Sequence, residues 1–99
     1  MTVRMTKRAA EEFKTVCSSK SLPIDTTKMR VEAERDENDG KLRVSLGLDD
    51  NEPDQEDVVE DTDGAQLVIK KSLAELLGEV RVDYKEERGG FLLERGITR

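Results

Sequence analysis

Residues 29–48 read MRVEAERDENDGKLRVSLGL, and they decide how the chain is built. Met29, Val31 and Ala33 alternate with Arg30, Glu32 and Glu34. Leu42, Val44, Leu46 and Leu48 alternate with Arg43, Ser45 and Gly47. Strict alternation puts apolar side chains on one face of an extended strand and polar ones on the other. Between the runs lies Asn38-Asp39-Gly40, residue types that tolerate the positive φ of a tight turn. The stretch therefore predicts an antiparallel hairpin with its charged faces side by side.

Moving toward the N-terminus, Thr6 is placed to cap a helix running to about Ser18. Ala9, Phe13, Val16 and Cys17 share one stripe of that helix. Cys17 on the stripe reads as a small core residue. Pro23 punctuates the loop before the hairpin.

Toward the C-terminus, Val58-Val59 is a short strand candidate and Asp63-Gly64 a second turn. Gln66 to Ile69 reads as a strand with Ala65, Leu67 and Ile69 on one side. Ser72-Leu73-Ala74-Glu75 has the form of a capping box opening a short helix near 72–77, which Gly78 would end in the left-handed conformation. Val80, Val82 and Tyr84 alternate in another strand. Arg88-Gly89-Gly90 turns the chain into a last strand at Phe91-Leu92-Leu93, and Ile97-Thr98-Arg99 reads as a tail. The order α β β (β) β α β β, with short turns, implies a small α+β domain over residues 1–99, its strands antiparallel or mixed in one or two small sheets.

Composition narrows the chemistry. Of the 99 residues, 40% are charged, the net charge is −6, and there is one cysteine and no histidine. That leaves no means for an intramolecular disulfide and removes the commonest acid–base residue. Nine of the 23 acids lie in Asp49–Asp63, which holds no base, so the acidity is local and reads as a solvated loop. No basic stripe or aromatic platform for nucleic acid is visible. No apolar run approaches the ~18 residues of a membrane span, and no signal-peptide pattern opens the chain, so a cytoplasmic location is expected.

The acids invite a test for calcium. An EF-hand loop needs Gly at its sixth position and Glu at its twelfth. Counted from Asp36, Gly40 comes one residue early and the twelfth position is Gly47. Acids on outward strand faces or in loops have pKa values levelled by water, which leaves no acid–base pair poised for catalysis. Without histidine no Ser/His or Cys/His nucleophile can be assembled. No catalytic, cofactor-binding or metal-ligating residue is assigned, and no enzyme activity is expected.

Glu52-Pro53, Asp57-Val58-Val59, Asp63-Gly64-Ala65-Gln66-Leu67-Val68-Ile69, Lys71-Ser72-Leu73, Leu77-Gly78, Val82-Asp83-Tyr84 and Gly90-Phe91 together resemble the HesB-like family. That family includes the A-type (IscA-like) iron–sulfur carriers. Met5-Thr6-Lys7-Arg8-Ala9-Ala10 is similar to its opening helix. The resemblance implies a HesB-like fold, self-association as a homodimer, and a cluster held by three thiolates. In the carriers one thiolate stands in the hairpin turn and two in a Cys-Gly-Cys tail. Here Asn38 is nearest the first position, the 99 residues contain no such tail, and Cys17 matches no ligand position. Thiolate is the ligand such clusters require. The expectation is a degenerate, non-catalytic member that has lost cluster binding and works as a protein-interaction or accessory protein. Its contact would be the acidic loop or an exposed sheet edge. The alternative is an iron or iron–sulfur carrier with non-standard ligands, either Cys17 from several subunits or the oxygens of Asp36, Glu37 and Asp39.

Overall fold

The computed structural model describes residues 2–95. Seven strands form two mixed sheets, accompanied by two helices. The first strand, β1 (Thr2–Met5), was not foreseen. Its alternation is only Val3-Arg4-Met5, too short to register by pattern, yet Val3 and Met5 are both buried. Helix α1 (Lys7–Ser19) follows, with the Thr6 hydroxyl accepting from the Ala9 N–H as expected of an N-cap.

Strands β2 (Lys28–Arg35) and β3 (Leu42–Asp49) form the predicted hairpin. The register sets Met29 opposite Leu48, Val31 opposite Leu46 and Ala33 opposite Val44, with Glu34 opposite Arg43 on the other face. The Val58-Val59 candidate proves longer, as β4 (Asp57–Thr62), and turns at Asp63-Gly64 into β5 (Ala65–Lys70). Asp63 and Gly64 have φ of +52° and +89°, the two positive values that a two-residue hairpin loop of matching twist requires. β5 also lies parallel to β2, giving the order β3-β2-β5-β4. β5 is central, so both its edges are paired, and both its faces are buried, with α1 and α2 each in contact with it. Val68, opposite in face to Leu67 and Ile69, is as fully buried as they are.

Helix α2 (Lys71–Leu77) leaves β5 without a loop. The capping box does not form, for Ser72 is exposed within the first turn and Lys70 occupies the cap position without a side-chain bond. The Lys71 N–H instead donates to the Glu56 carbonyl at 2.7 Å, so a neighbouring segment serves that end of the helix. Gly78 ends the helix at a positive φ of +81°, but its ψ of −98° departs from the left-handed conformation expected of it. Strand β6 (Glu79–Lys85) then pairs parallel with β1 and, after a turn of 3₁₀ helix at Glu86–Arg88, antiparallel with β7 (Gly90–Arg95). The tail at Ile97-Thr98-Arg99 lies outside the described residues.

One core joins these layers. Ala9, Ala10, Phe13 and Cys17 of α1 meet Met29, Val31, Leu67 and Ile69 of the four-stranded sheet and Val80 and Val82 of the three-stranded one. Phe13 is its largest fully buried side chain, the kind of position where truncation to Ala removes about 3–5 kcal/mol. The two sheets meet differently at their two margins. On one side β1 lies against β4, with the Thr62 hydroxyl 3.4 Å from the Met5 carbonyl. On the other, β3 and β7 flank an open apolar groove of about 190 Å³ lined by Phe13, Val16, Met29, Leu46, Leu48 and Phe91.

Candidate functional site

The hairpin loop, Asp36 to Lys41, is tied to itself. The Asp36 N–H donates to the Lys41 carbonyl and the Gly40 N–H to the Asp36 carbonyl, both at 2.8 Å. The carboxylates then take up two more amides of the loop. Asp36 Oδ1 accepts from the Asn38 N–H at 2.7 Å and Asp39 Oδ1 from the Lys41 N–H at 2.9 Å. Such Asx turns are what these short acidic side chains do in loops. Asp36 Oδ2 also receives Arg43 Nε at 2.9 Å. The Asn38 N–H first, and then Arg43, hold the Asp36 carboxyl below the usual carboxylate range. Gly40 has φ +71°, the conformation the sequence demanded of it. Asn38 itself is exposed.

The second acidic segment follows different physics. Arg30 projects from the outer face of β2, and its guanidinium reaches the carboxylates at both ends of the next connection. Nη1 and Nη2 each lie 3.1 Å from an oxygen of Asp57, and Nε lies 2.7 Å from Asp49 Oδ2. The Asp57 side chain is 2% exposed and that of Asp49 10%. Each carboxylate has further donors. The Asp54 N–H reaches Asp57 at 3.0 Å, and the Asn51 N–H and Nδ2 both reach Asp49 at 3.0 Å. Asp57 is held below the usual carboxylate range, chiefly by Arg30; Asp49 is held down by the Asn51 N–H and then by Arg30. The guanidinium's own pKa is raised, most of all by Asp57. Bidentate geometry of this kind is the strong form of the Arg–carboxylate bond.

This corrects the expectation of a uniformly solvated acidic loop. Asp50, Glu52, Asp54 and Glu56 are exposed, but Asp49 and Asp57 are not. It also corrects the idea that water levels every carboxyl. Asp83 is a fourth exception beside Asp36, Asp49 and Asp57, lowered first by the Thr6 hydroxyl, which donates to it at 2.8 Å, and then by the Tyr84 N–H. Thr6 thereby joins the start of α1 to β6. The missed residue is Arg30. The available signal was a base facing outward on a strand whose chain neighbours carry acids without a base, but nothing in one sequence says which acids return to it.

Cys17 is 1% exposed within the core cluster, and burial pushes its thiol pKa up. A thiol in that setting is protonated and inaccessible, the opposite of what cluster ligation needs. Among the described residues no three His, Cys, Asp or Glu side chains gather to hold a metal ion. Asp36, Glu37 and Asp39, offered above as oxygen ligands, are not brought together as such a group. The donors in these residues do not fit an iron–sulfur cluster. Among the described residues no helix is long and apolar enough to cross a membrane.

Comparison with known proteins places this arrangement. The fold is similar to the crystal structure of SufA from Escherichia coli, a protein involved in biosynthesis of iron–sulfur clusters. The TM-score is 0.78 at 18% identity, over 99% of this chain and 83% of that one. It is also similar to the crystal structure of IscA with the [2Fe-2S] cluster, with a TM-score of 0.74 at 28% identity over 95% of this chain and 85% of that one. A solution structure of a protein from Aquifex aeolicus matches with a TM-score of 0.62 at 21% identity, over 93% of this chain and 89% of that one. No curated protein matches by sequence. The family model described as iron-sulphur cluster biosynthesis matches residues 1–97, and the chain belongs to that family.

Proposed function

We propose that this chain is a single, non-catalytic domain of the iron-sulphur cluster biosynthesis family that holds no cluster on its own residues and acts by contact with another protein. The observation that carries this reading is the place of the one thiol. Cys17 is sealed in the core, and the exposed hairpin position nearest the family's first ligand is Asn38. The carboxylates of Asp36 and Asp39 are already engaged with backbone amides of their own loop. The exposed acids Asp50, Glu52, Asp54 and Glu56 form a rim suited to a basic partner surface. Attraction of that kind weakens as salt rises.

Anaerobic reconstitution with ferrous iron and sulfide tests the reading. The expected product is colourless, with iron and sulfide far below one per chain. A brown protein with stoichiometric iron and sulfide overturns it. The Cys17→Ser and Asp36→Asn variants then identify whether sulfur or oxygen supplies the ligands.

A further inference from the structure

We propose that the open groove at Leu48 is a docking seat for an amphipathic helix of another protein, with apolar side chains in the groove and a Lys or Arg over Asp50. The inference rests on the reading above and deepens it: it names where the contact with another protein is made and the chemistry that makes it.

The groove follows from how the two sheets part. β1 and β4 meet along one margin, while β3 and β7 leave the other open. Leu48 stands on the apolar face of β3, opposite the buried Met29, yet stays 48% exposed. Two hollows share it. One is the groove of about 190 Å³ walled by Phe13, Val16, Leu46 and Phe91. The other, of about 290 Å³, continues past Leu48 to Leu22, Pro23 and Thr26. The apolar floor therefore runs unbroken from Phe91 to Pro23. Side chains wall it, and a helix with apolar anchors three and four residues apart is the shape that fills such a groove.

The charges at one end select the helix. Among the described residues, Asp49 and Asp50 are the only charged side chains lining either hollow. Asp49 is held by Arg30. Asp50 is exposed, as are Glu52 just beyond it and Asp25 in the loop that supplies Pro23 and Thr26. An acidic helix is repelled there and a basic one is drawn in, while its apolar face removes Leu48 from water. This chain's own helices do not supply the occupant. α1 turns its apolar face into the core, and α2 is seven residues long and exposes one leucine, Leu76.

Titration of the full chain, with chelator present, against short synthetic helical peptides gives the test, followed by fluorescence anisotropy and by NMR amide shifts. One peptide carries leucines on one face and lysines on the other; a second replaces the lysines with glutamates, and a third replaces the leucines with serines. The first should bind with its largest shifts at Val16, Leu48 and Phe91, and the other two should bind far more weakly. Leu48→Asp should weaken binding about tenfold, the effect of losing the apolar contact of a half-exposed leucine, even though it adds negative charge. The same change at Leu76, on an element that lines neither hollow, should not weaken it. Asp50→Lys should weaken binding and flatten its salt dependence. Binding that follows charge alone, equal for the serine peptide or tighter in Leu48→Asp, overturns the proposal. So does a groove already filled. A second copy in it would appear as a dimer in sedimentation that Leu48→Asp dissociates, and this chain's own residues 96–99 in it would appear as tighter peptide binding in Ile97→Asp. The two readings fail separately, because reconstitution reports on the cluster and the peptides report on the groove.

Discussion

Two acidic connections in this chain look alike on paper and behave differently in space. The loop from Asp36 to Lys41 turns its carboxylates back on itself, Asp36 half-buried and Asp39 exposed, where they bond to amides two residues away and to an Arg43 that is 67% exposed. The connection from Asp49 to Asp57 sends its two end carboxylates inward onto Arg30, and leaves the acids between them in water. The first loop shapes itself. The second is shaped by a residue on another strand, 19 and 27 positions away from the carboxylates it binds. Local turns of Asp and Gly can therefore be read residue by residue, while a long acidic run must be asked where its counter-charge sits.

Breaking the inner arrangement should have the largest effect. Arg30→Met leaves the buried Asp57 only the Asp54 N–H and the more distant, half-exposed Lys70 ammonium, and chemical denaturation should show a loss on the order of 3 kcal/mol, as for other broken buried pairs. An unchanged midpoint would mean that Asp57 relaxes into water and the connection is not held as described. The next effect is pH-dependent. The folded-state pKa values of Asp49 and Asp57 lie below the ordinary carboxylate value, so their contribution is fully present above about pH 4 and is lost as pH falls through the folded values. Thermal melts of the wild type should drop steeply over that acid range, and Asp57→Asn should start lower and fall less. Parallel acid profiles would assign the acid sensitivity elsewhere.

The outer loop should respond more weakly. Gly40→Ala meets no neighbouring atom but must hold φ +71°, so a loss of about 1 kcal/mol is expected in the same denaturation assay. Arg43→Ala should leave the midpoint unchanged within error, because ion pairs this exposed contribute little. If Arg43→Ala rivals Arg30→Met, the distinction between the two loops fails.

How much the sequence disclosed follows the same division. The β2–β3 hairpin, the α1 stripe with its Thr6 cap, the Asp63-Gly64 turn and the β6 and β7 strands all rest on interactions within a few residues, and all were legible. β1 was not, since three alternating residues carry little signal and its partner lies far along the chain. The Ser72 cap does not form because the helix begins at Lys71, whose amide is served by the Glu56 carbonyl, remote in sequence. At the candidate site, the place of Asn38 and the core setting of Cys17 could be read from pattern. The Arg30 junction could not, because a strand's outward residues do not declare which loop folds back over them.

The pairing of β1 with β6 has a consequence for how the protein is made. Val3 lies beside Val80 and Met5 beside Val82, so β1 waits for a strand made only after the hairpin, β4, β5 and α2. Contacts of such wide separation form late and slowly. The hairpin and its parallel neighbour β5 can assemble while synthesis continues, but β1 must remain without its own sheet until β6 has emerged. A nascent chain halted before residue 79 should therefore leave β1 open to proteolysis.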